Sequence, residues 1–269
     1  MPGTLPPDAD AHPAVDVPAV APLRTRASAH RPPAPRRVAV RRYVAGVSAD
    51  GVPNPWLSWD YVEANQRDIV TALGQHVSLT LQAIAIATLV AVPLALLVHG
   101  RRRLTAAVLG SAGVLYTIPS LALFAALYPW LRDRRVTVLV GLVAYALLVL
   151  LRNVVVGLDQ VDPATTDAAR GLGYGRARVL LAVRLPSALP AIVTGLRLAT
   201  VTTVALVTIG VVVGYGGLGQ LMYRGFNSQY RAEIATATLL TLALALVADV
   251  ALWALGRAVT PWARAGGRS

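Results

Sequence analysis

Residues 77–98 read VSLTLQAIAIATLVAVPLALLV, an apolar run without a charged side chain that ends against Arg101, Arg102 and Arg103. A helix rises about 1.5 Å per residue and the hydrocarbon core of a bilayer is about 30 Å thick, so about 20 such residues suffice to cross it. Four more apolar stretches follow, over residues 104–131, 136–151, 188–213 and 234–255. The second contains Gly110 and Pro119; it is long enough to tilt, and a kink is expected at the proline. The third is short, so Arg135 and Arg152 at its ends must snorkel toward the interfaces. Arg197 interrupts the fourth and Asp249 sits in the fifth. The pattern predicts an all-α membrane protein with five transmembrane helices.

Composition points the same way. Of 269 residues, 55% are hydrophobic and 14% charged, against about a quarter charged in a soluble domain. The formal net charge of +12 raises the question of nucleic acid. The arginines, however, gather at the ends of apolar runs and in the tails, where they hold membrane topology. The lipid bilayer is therefore the expected partner, and nucleic acid is not. With no cysteine, disulfides, zinc–thiolate sites and thiol nucleophiles are excluded. His12, His30, His76 and His99 are scattered, and neither a metal-ligand set nor a Ser-His-Asp arrangement is visible. No P-loop is present. The chain is not expected to be an enzyme or to hold a metal or cofactor of its own.

Residues 1–55 contain eleven prolines and seven arginines without hydrophobic periodicity. Such a segment cannot bury enough apolar surface to offset its ordering entropy, so it is expected to be a disordered tail. Residues 56–75 carry Trp56, Trp59 and Tyr61, with Ile69, Val70 and Leu73 on one helical face; a short interfacial amphipathic helix is expected there. The spans then occupy a permease domain over 76–257, followed by a tail over 258–269. Arg101–Arg103, the arginines of the 152–187 loop and those of the last tail fall on one side of five spans, which makes that side cytoplasmic. The N-terminus is then outside. The arginines of the first tail oppose this, whereas Asp60, Glu63 and Asp68 against Arg67 support it. Either the tail crosses, or the true start lies downstream, or a further span exists.

The 152–187 loop is the longest polar insertion, RNVVVGLDQVDPATTDAARGLGYGRARVLLAVRLPS. Asp162 is a good N-cap and Pro163 a good first helical residue. A short helix through Arg170 should end at Gly171 or Gly173, which can supply a left-handed residue. A second short helix, 176–184, should precede Pro186 and the next span. Ala168 and Ala169 are small enough to let the first helix approach another surface closely.

Asp167-Ala168-Ala169, then three residues, Gly173, then nine residues, Val183, one residue, Leu185 and Pro186 resembles the E-A-A signature of ABC importer permeases, with Asp for Glu and Val for Ile. The resemblance implies the type I, methionine-importer-like permease fold, with a cytoplasmic coupling helix that docks on a separate ATP-binding subunit. It also implies a second permease chain, identical or not, an extracellular solute-binding protein, and a place in the bacterial cell membrane. Asp167, Ala168, Ala169, Gly171, Gly173, Leu185 and Pro186 are then the ATPase-coupling residues. Thr117–Leu123 (TIPSLAL), Gly195–Thr200 (GLRLAT) and Val213–Gly219 (VGYGGLG) are similar to segments of glycine betaine, choline and osmoprotectant permeases, though Tyr116 stands where that subfamily has glutamine. Methionine, sulfonate and amino-acid permeases share much of the pattern, so another small solute stays open. A stand-alone secondary transporter would show internal repeats with broken helices, and no repeat is seen.

Several residues remain as pathway or packing candidates: Thr117, Pro119, Ser120, Gly195, Arg197, Gly214, Gly216, Gly217 and Asp249. Gly214, Gly216 and Gly219 satisfy G-x-G-x-x-G, but a dinucleotide site needs a strand before it and a helix after it; a helix end or re-entrant turn is the simpler reading. Asp249 is expected either to pair with Arg197 or Arg257 or to snorkel on its own, because ionisable groups in a membrane are expensive.

Overall fold

The computed structural model describes residues 54–262, and every helix and turn among them belongs to an all-helical bundle. The expected tail over 1–55 lies outside the described residues except for 54 and 55; of the tail over 258–269, residues 258–262 are described, and 258–259 still belong to the last helix. Helix α1 is Trp59–Ala64, started by the Ser58 hydroxyl, which accepts from the Tyr61 N–H at 3.2 Å. Helix α2, Gln66–Val98, follows after Asn65 alone. The expected boundary between an interfacial helix and the first span at about residue 76 is therefore absent. Ile69, Ala72, His76 and Leu79 form one buried face that continues into the span, so the segment is held by protein rather than lying flat on lipid. At about 1.5 Å per residue, a helix this long exceeds the bilayer core.

The buried face of α2 continues as Ala83, Ala87, Ala91 and Ala95, each with no exposed surface. Small residues every fourth position let a neighbouring backbone come close, which is how helices associate when lipid offers no hydrophobic drive. That neighbour is α5, Arg134–Asp159, whose Leu150, Leu151, Val154 and Leu158 fill the same core. Helix α5 is thus not the short span ending at Leu151. Its last turns stay helical because Val154, Val155 and Leu158 remain in the core while Arg152 points outward.

The expected second span is two helices, α3 (Arg102–Thr117) and α4 (Ser120–Leu131), which meet at 95°. A proline alone kinks a helix; here the chain turns fully because α5 grips both sides of the turn. The Phe124 ring of α4 is completely buried in a notch at Gly141, where any Cβ would overlap it. One turn along α5, the Tyr145 hydroxyl donates to the Ile118 carbonyl at 2.5 Å.

The connection to the fourth span also differs. Helix α6 (Pro163–Gly171) is followed by α7 (Arg176–Val179), which runs without interruption through a π-turn at Leu180–Arg184 into α8 (Leu185–Ile209). The expected separate helix over 176–184 is therefore the foot of a longer rod. Pro186 has no N–H and would clash with a carbonyl four residues back; the wider π-turn accommodates it. Within α8, Gly195 lies so close to α5 that a Cβ there would fall on the Asn153 side chain.

After a 3₁₀ turn, Gly210–Val213, the chain reverses at Gly214 (φ 77°) and Gly217 (φ 54°) into α9, Leu218–Asn227. This helix was not expected from the sequence. Its entry is locked by His76 of α2: the Nδ1 atom accepts from the Leu218 N–H at 3.4 Å, and Nε2–H donates to the Val204 carbonyl at 3.0 Å. A Cβ on Gly217 would lie 2.8 Å from the His76 Cβ. Helix α10, Arg231–Val259, closes the chain. Arg224 of α9 bonds Glu233 at 2.5 Å and Asp68 at 3.2 Å, tying α9, α10 and α2 together. Tyr61 is buried beside them, edge-on to Tyr230 at 5.3 Å.

Arg197 and Asp249 pair as a two-point fork between α8 and α10, Nε to Oδ1 at 2.8 Å and Nη2 to Oδ2 at 2.7 Å. The buried residues of α10 are Ala232, Glu233, Ala237 and Gly256, all near its ends. The fork is therefore the polar tie along the middle of this helix. Two outcomes follow. Gly217→Ala should lower the thermal midpoint of the purified protein, because φ 54° with ψ −126° is a sparsely populated conformation for a residue with a Cβ and costs about 1–3 kcal/mol before any clash with His76. Arg197→Ala or Asp249→Ala should each destabilise the protein more than the double change does, since a single change strands a charge in the membrane; melting of the three variants in one detergent checks this.

Candidate functional site

The polar elbow between α5 and α8 is built by local rules. The Asp162 carboxylate accepts from the Ala164 N–H at 2.8 Å, and Pro163 occupies the first turn, so α6 starts there. At its other end the Gly173 N–H bonds the Arg170 carbonyl at 2.9 Å and the Tyr174 N–H bonds the Ala169 carbonyl at 3.1 Å. This paired closure needs a left-handed residue after the last turn, and Gly173 supplies it at φ 82°. Gly171, the other candidate, is an ordinary helical residue inside α6.

Burial divides α6 into two faces. Thr166 and Ala169 pack inward, while Ala164, Thr165, Asp167, Ala168 and Gly171 are exposed. Leu172, just past the helix, is 78% exposed. Sequence reading had missed it; an apolar residue directly after a capped amphipathic helix was the available signal. Asp167 makes one intrahelical contact, to Arg170 at 3.3 Å, and both side chains are exposed. Such a pair contributes little stability, which leaves the carboxylate available to another surface. Arg178 caps the Tyr174 ring at 4.1 Å and stiffens the turn. Leu185 and Pro186 are the first two residues of α8.

The elbow is tied to the bundle at its foot. His99, at the end of α2, receives a hydrogen bond from Arg184 on Nε2 and presents Nδ1 to Asp159 at 3.3 Å. Burial, together with the Arg184 charge, holds the imidazole below its ordinary pKa, and Asp159 works against this. The ring therefore ties the end of α2 to Arg184 on the arm that carries the elbow, with the Asp159 carboxylate 3.3 Å from its Nδ1.

The pathway candidates fall into two groups. Thr117, Pro119 and Ser120 flank the break between α3 and α4; the Thr117 hydroxyl donates back to the Val114 carbonyl at 2.7 Å. Gly195, Gly214, Gly216 and Gly217 are packing positions: a Cβ on Gly216 would lie 2.5 Å from the Val211 nitrogen. The glycine run follows a helix and a 3₁₀ turn, with no strand before it, so it lacks the context of a dinucleotide site. Among the described residues no group of three His, Asp or Glu side chains could hold a metal ion.

Comparison with known proteins places this architecture. The model for the binding-protein-dependent transport system inner membrane component matches residues 83–264. The osmoprotectant import permease protein OsmW of Salmonella typhimurium is 36% identical over 207 residues, 75% of this chain and 96% of that protein. The carnitine transport permease protein OpuCB of Listeria monocytogenes is 32% identical over 202 residues, 75% of this chain and 92% of that protein. Among solved structures, an inward-facing MetNI methionine ABC transporter chain superposes with a TM-score of 0.67 at 24% identity, covering 74% of this chain and 99% of that one. That likeness speaks for the fold. The family match over most of the apolar helices, with relatives aligned along nearly their full length, leads to one assignment: the chain belongs to the inner membrane components of binding-protein-dependent transport systems.

Proposed function

We propose that the chain is the permease subunit of an ATP-driven importer for a quaternary ammonium osmoprotectant such as glycine betaine, choline or carnitine. The observation that carries the coupling half of this reading is the elbow: a helix fixed at both ends, with an exposed face of small residues, one carboxylate and one apolar side chain. Such a surface fits a groove on another protein. The solute class rests on relatives named for carnitine, choline or glycine betaine at 29–33% identity and on one named for osmoprotectants at 36%.

In this reading a separate ATP-binding subunit grips α6 from the cytoplasm. Its closure moves the elbow, and the rod from Arg176 onward carries that motion into α8 without a flexible joint. The hydrogen bond from Arg184 to His99 passes it to the end of α2. A second permease chain covers exposed surface of the first: α3 has no buried residue, and α4 buries only Phe124. A binding protein delivers the solute from outside. The chain itself performs no chemistry; its part is to open and close a path.

Uptake of radiolabelled glycine betaine into proteoliposomes containing the whole importer tests this. The wild type should accumulate solute only with ATP inside the compartment that faces the elbow. Leu172→Asp should abolish accumulation without lowering the amount of inserted protein. Gly173→Val should reduce it strongly, because a β-branched residue at positive φ opens the cap at a cost of about 1–2 kcal/mol. ATP-independent uptake by this chain alone would contradict the proposal.

A further inference from the structure

The break between α3 and α4 holds an arrangement that the coupling scheme does not use. Residues 102–131 read RRLTAAVLGSAGVLYTIPSLALFAALYPWL and contain no acidic side chain. In the middle of this apolar segment the backbone turns by 95°. Non-helical backbone at membrane depth is tolerated only where protein buries it or where it lines a watery cavity. The inner side of the turn is buried by Tyr145, whose hydroxyl is committed to the Ile118 carbonyl. The other side carries Tyr116, 46% exposed, whose ring meets that of Tyr145 edge-on at 5.6 Å and 73°.

We infer that this break is a contact site for the quaternary ammonium head of the transported solute, with the Tyr116 ring as the aromatic face that receives it. The assignment takes the solute class proposed above as given and adds where in this chain the solute is met. One feature favours a cation here: an exposed electron-rich ring stands at the break. The helix ends add no net field, because the carbonyl end of α3 meets the N–H end of α4 across Ile118 and Pro119. The missing carboxylate then decides the kind of cation. A metal ion demands oxygen ligands, and a primary ammonium demands hydrogen-bond acceptors. A trimethylammonium group demands neither; an aromatic surface receives it. The ring is held in place rather than mobile, because Tyr145 is pinned at its hydroxyl and Tyr116 leans on it. The elements that create the turn therefore also orient the recognition surface. Weak, single-faced contact suits a transit site, which must release what it receives.

The complete importer, reconstituted in proteoliposomes with saturating binding protein, tests the site with glycine betaine as probe. Saturation makes capture outside non-limiting, so the maximal rate reports passage through the permease. Tyr116→Leu should lower that rate about tenfold, the scale of one lost cation–π contact. Tyr116→Phe and Tyr116→Trp should stay close to wild type, because the ring is kept. ATP hydrolysis without solute should be unchanged in all three, which separates a solute contact from a structural role. Equal rates for the leucine variant and the wild type would overturn the site, as would a loss shared by all three variants or accompanied by lost basal hydrolysis. A wild-type importer that moves neither glycine betaine, choline nor carnitine overturns the proposed solute class, and the site with it. Transport by the wild type that is insensitive to Tyr116→Leu overturns the site alone.

Discussion

Inside a bilayer each backbone N–H and C=O must find its partner within the protein, and this requirement governs the whole chain. Helices meet it by themselves. Wherever a helix stops, a neighbour has to supply what the helix no longer does. The apolar region has two such stops, at Thr117–Ser120 and at Ile209–Leu218, and each is closed by a ring from another helix. Tyr145 reaches the Ile118 carbonyl from α5. His76 reaches both Leu218 and Val204 from α2. The two rings allow non-helical backbone in an otherwise regular bundle.

The elbow outside the apolar region obeys a different rule. Water can satisfy its backbone, so order there comes from caps. Asp162 and Gly173 fix the two ends of α6, and the face between them stays exposed. Helix α7, the π-turn and α8 form one rod, which the capped turn at Gly173 joins to α6. The hydrogen bond from Arg184 to His99 joins the foot of this rod to the end of α2. The fork between Arg197 and Asp249 then ties the last helix to that same rod. Identified contacts thus lead from this rod to the end of α2 and to the middle of α10.

Much of this was legible in the sequence. Run lengths gave the apolar helices, because hydrophobic thickness is a fixed length. The caps of α6 were readable because Asp-Pro and Gly act locally. The Arg197–Asp249 contact stood among the alternatives, since two opposite charges in adjacent spans have few other ways to be accommodated. What could not be read depends on contacts distant in sequence. Pro119 suggested a kink, but the full turn comes from Gly141 and Tyr145, about a score of residues later. Pro186 suggested a helix boundary, yet a π-turn absorbs it. His76 looked isolated because its partners, Val204 and Leu218, lie far along the chain. Helix α9 escaped notice because its amphipathic ten residues follow a glycine-rich turn that reads as loop. Tyr116 showed only as a departure from a familiar pattern until the structure set it against Tyr145.

The account stands or falls on where the exposed face of α6 lies and what touches it. The chain contains no cysteine, so Ala168→Cys creates a single thiol on that face. The most direct measurement is labelling of this thiol in intact cells and in inverted membrane vesicles, with and without the ATP-binding subunit. The account predicts that a membrane-impermeant reagent reaches it only in inverted vesicles, that the ATP-binding subunit shields it, and that a short cross-linker joins the two chains. Labelling from outside intact cells, or full reactivity in the assembled complex, would contradict it.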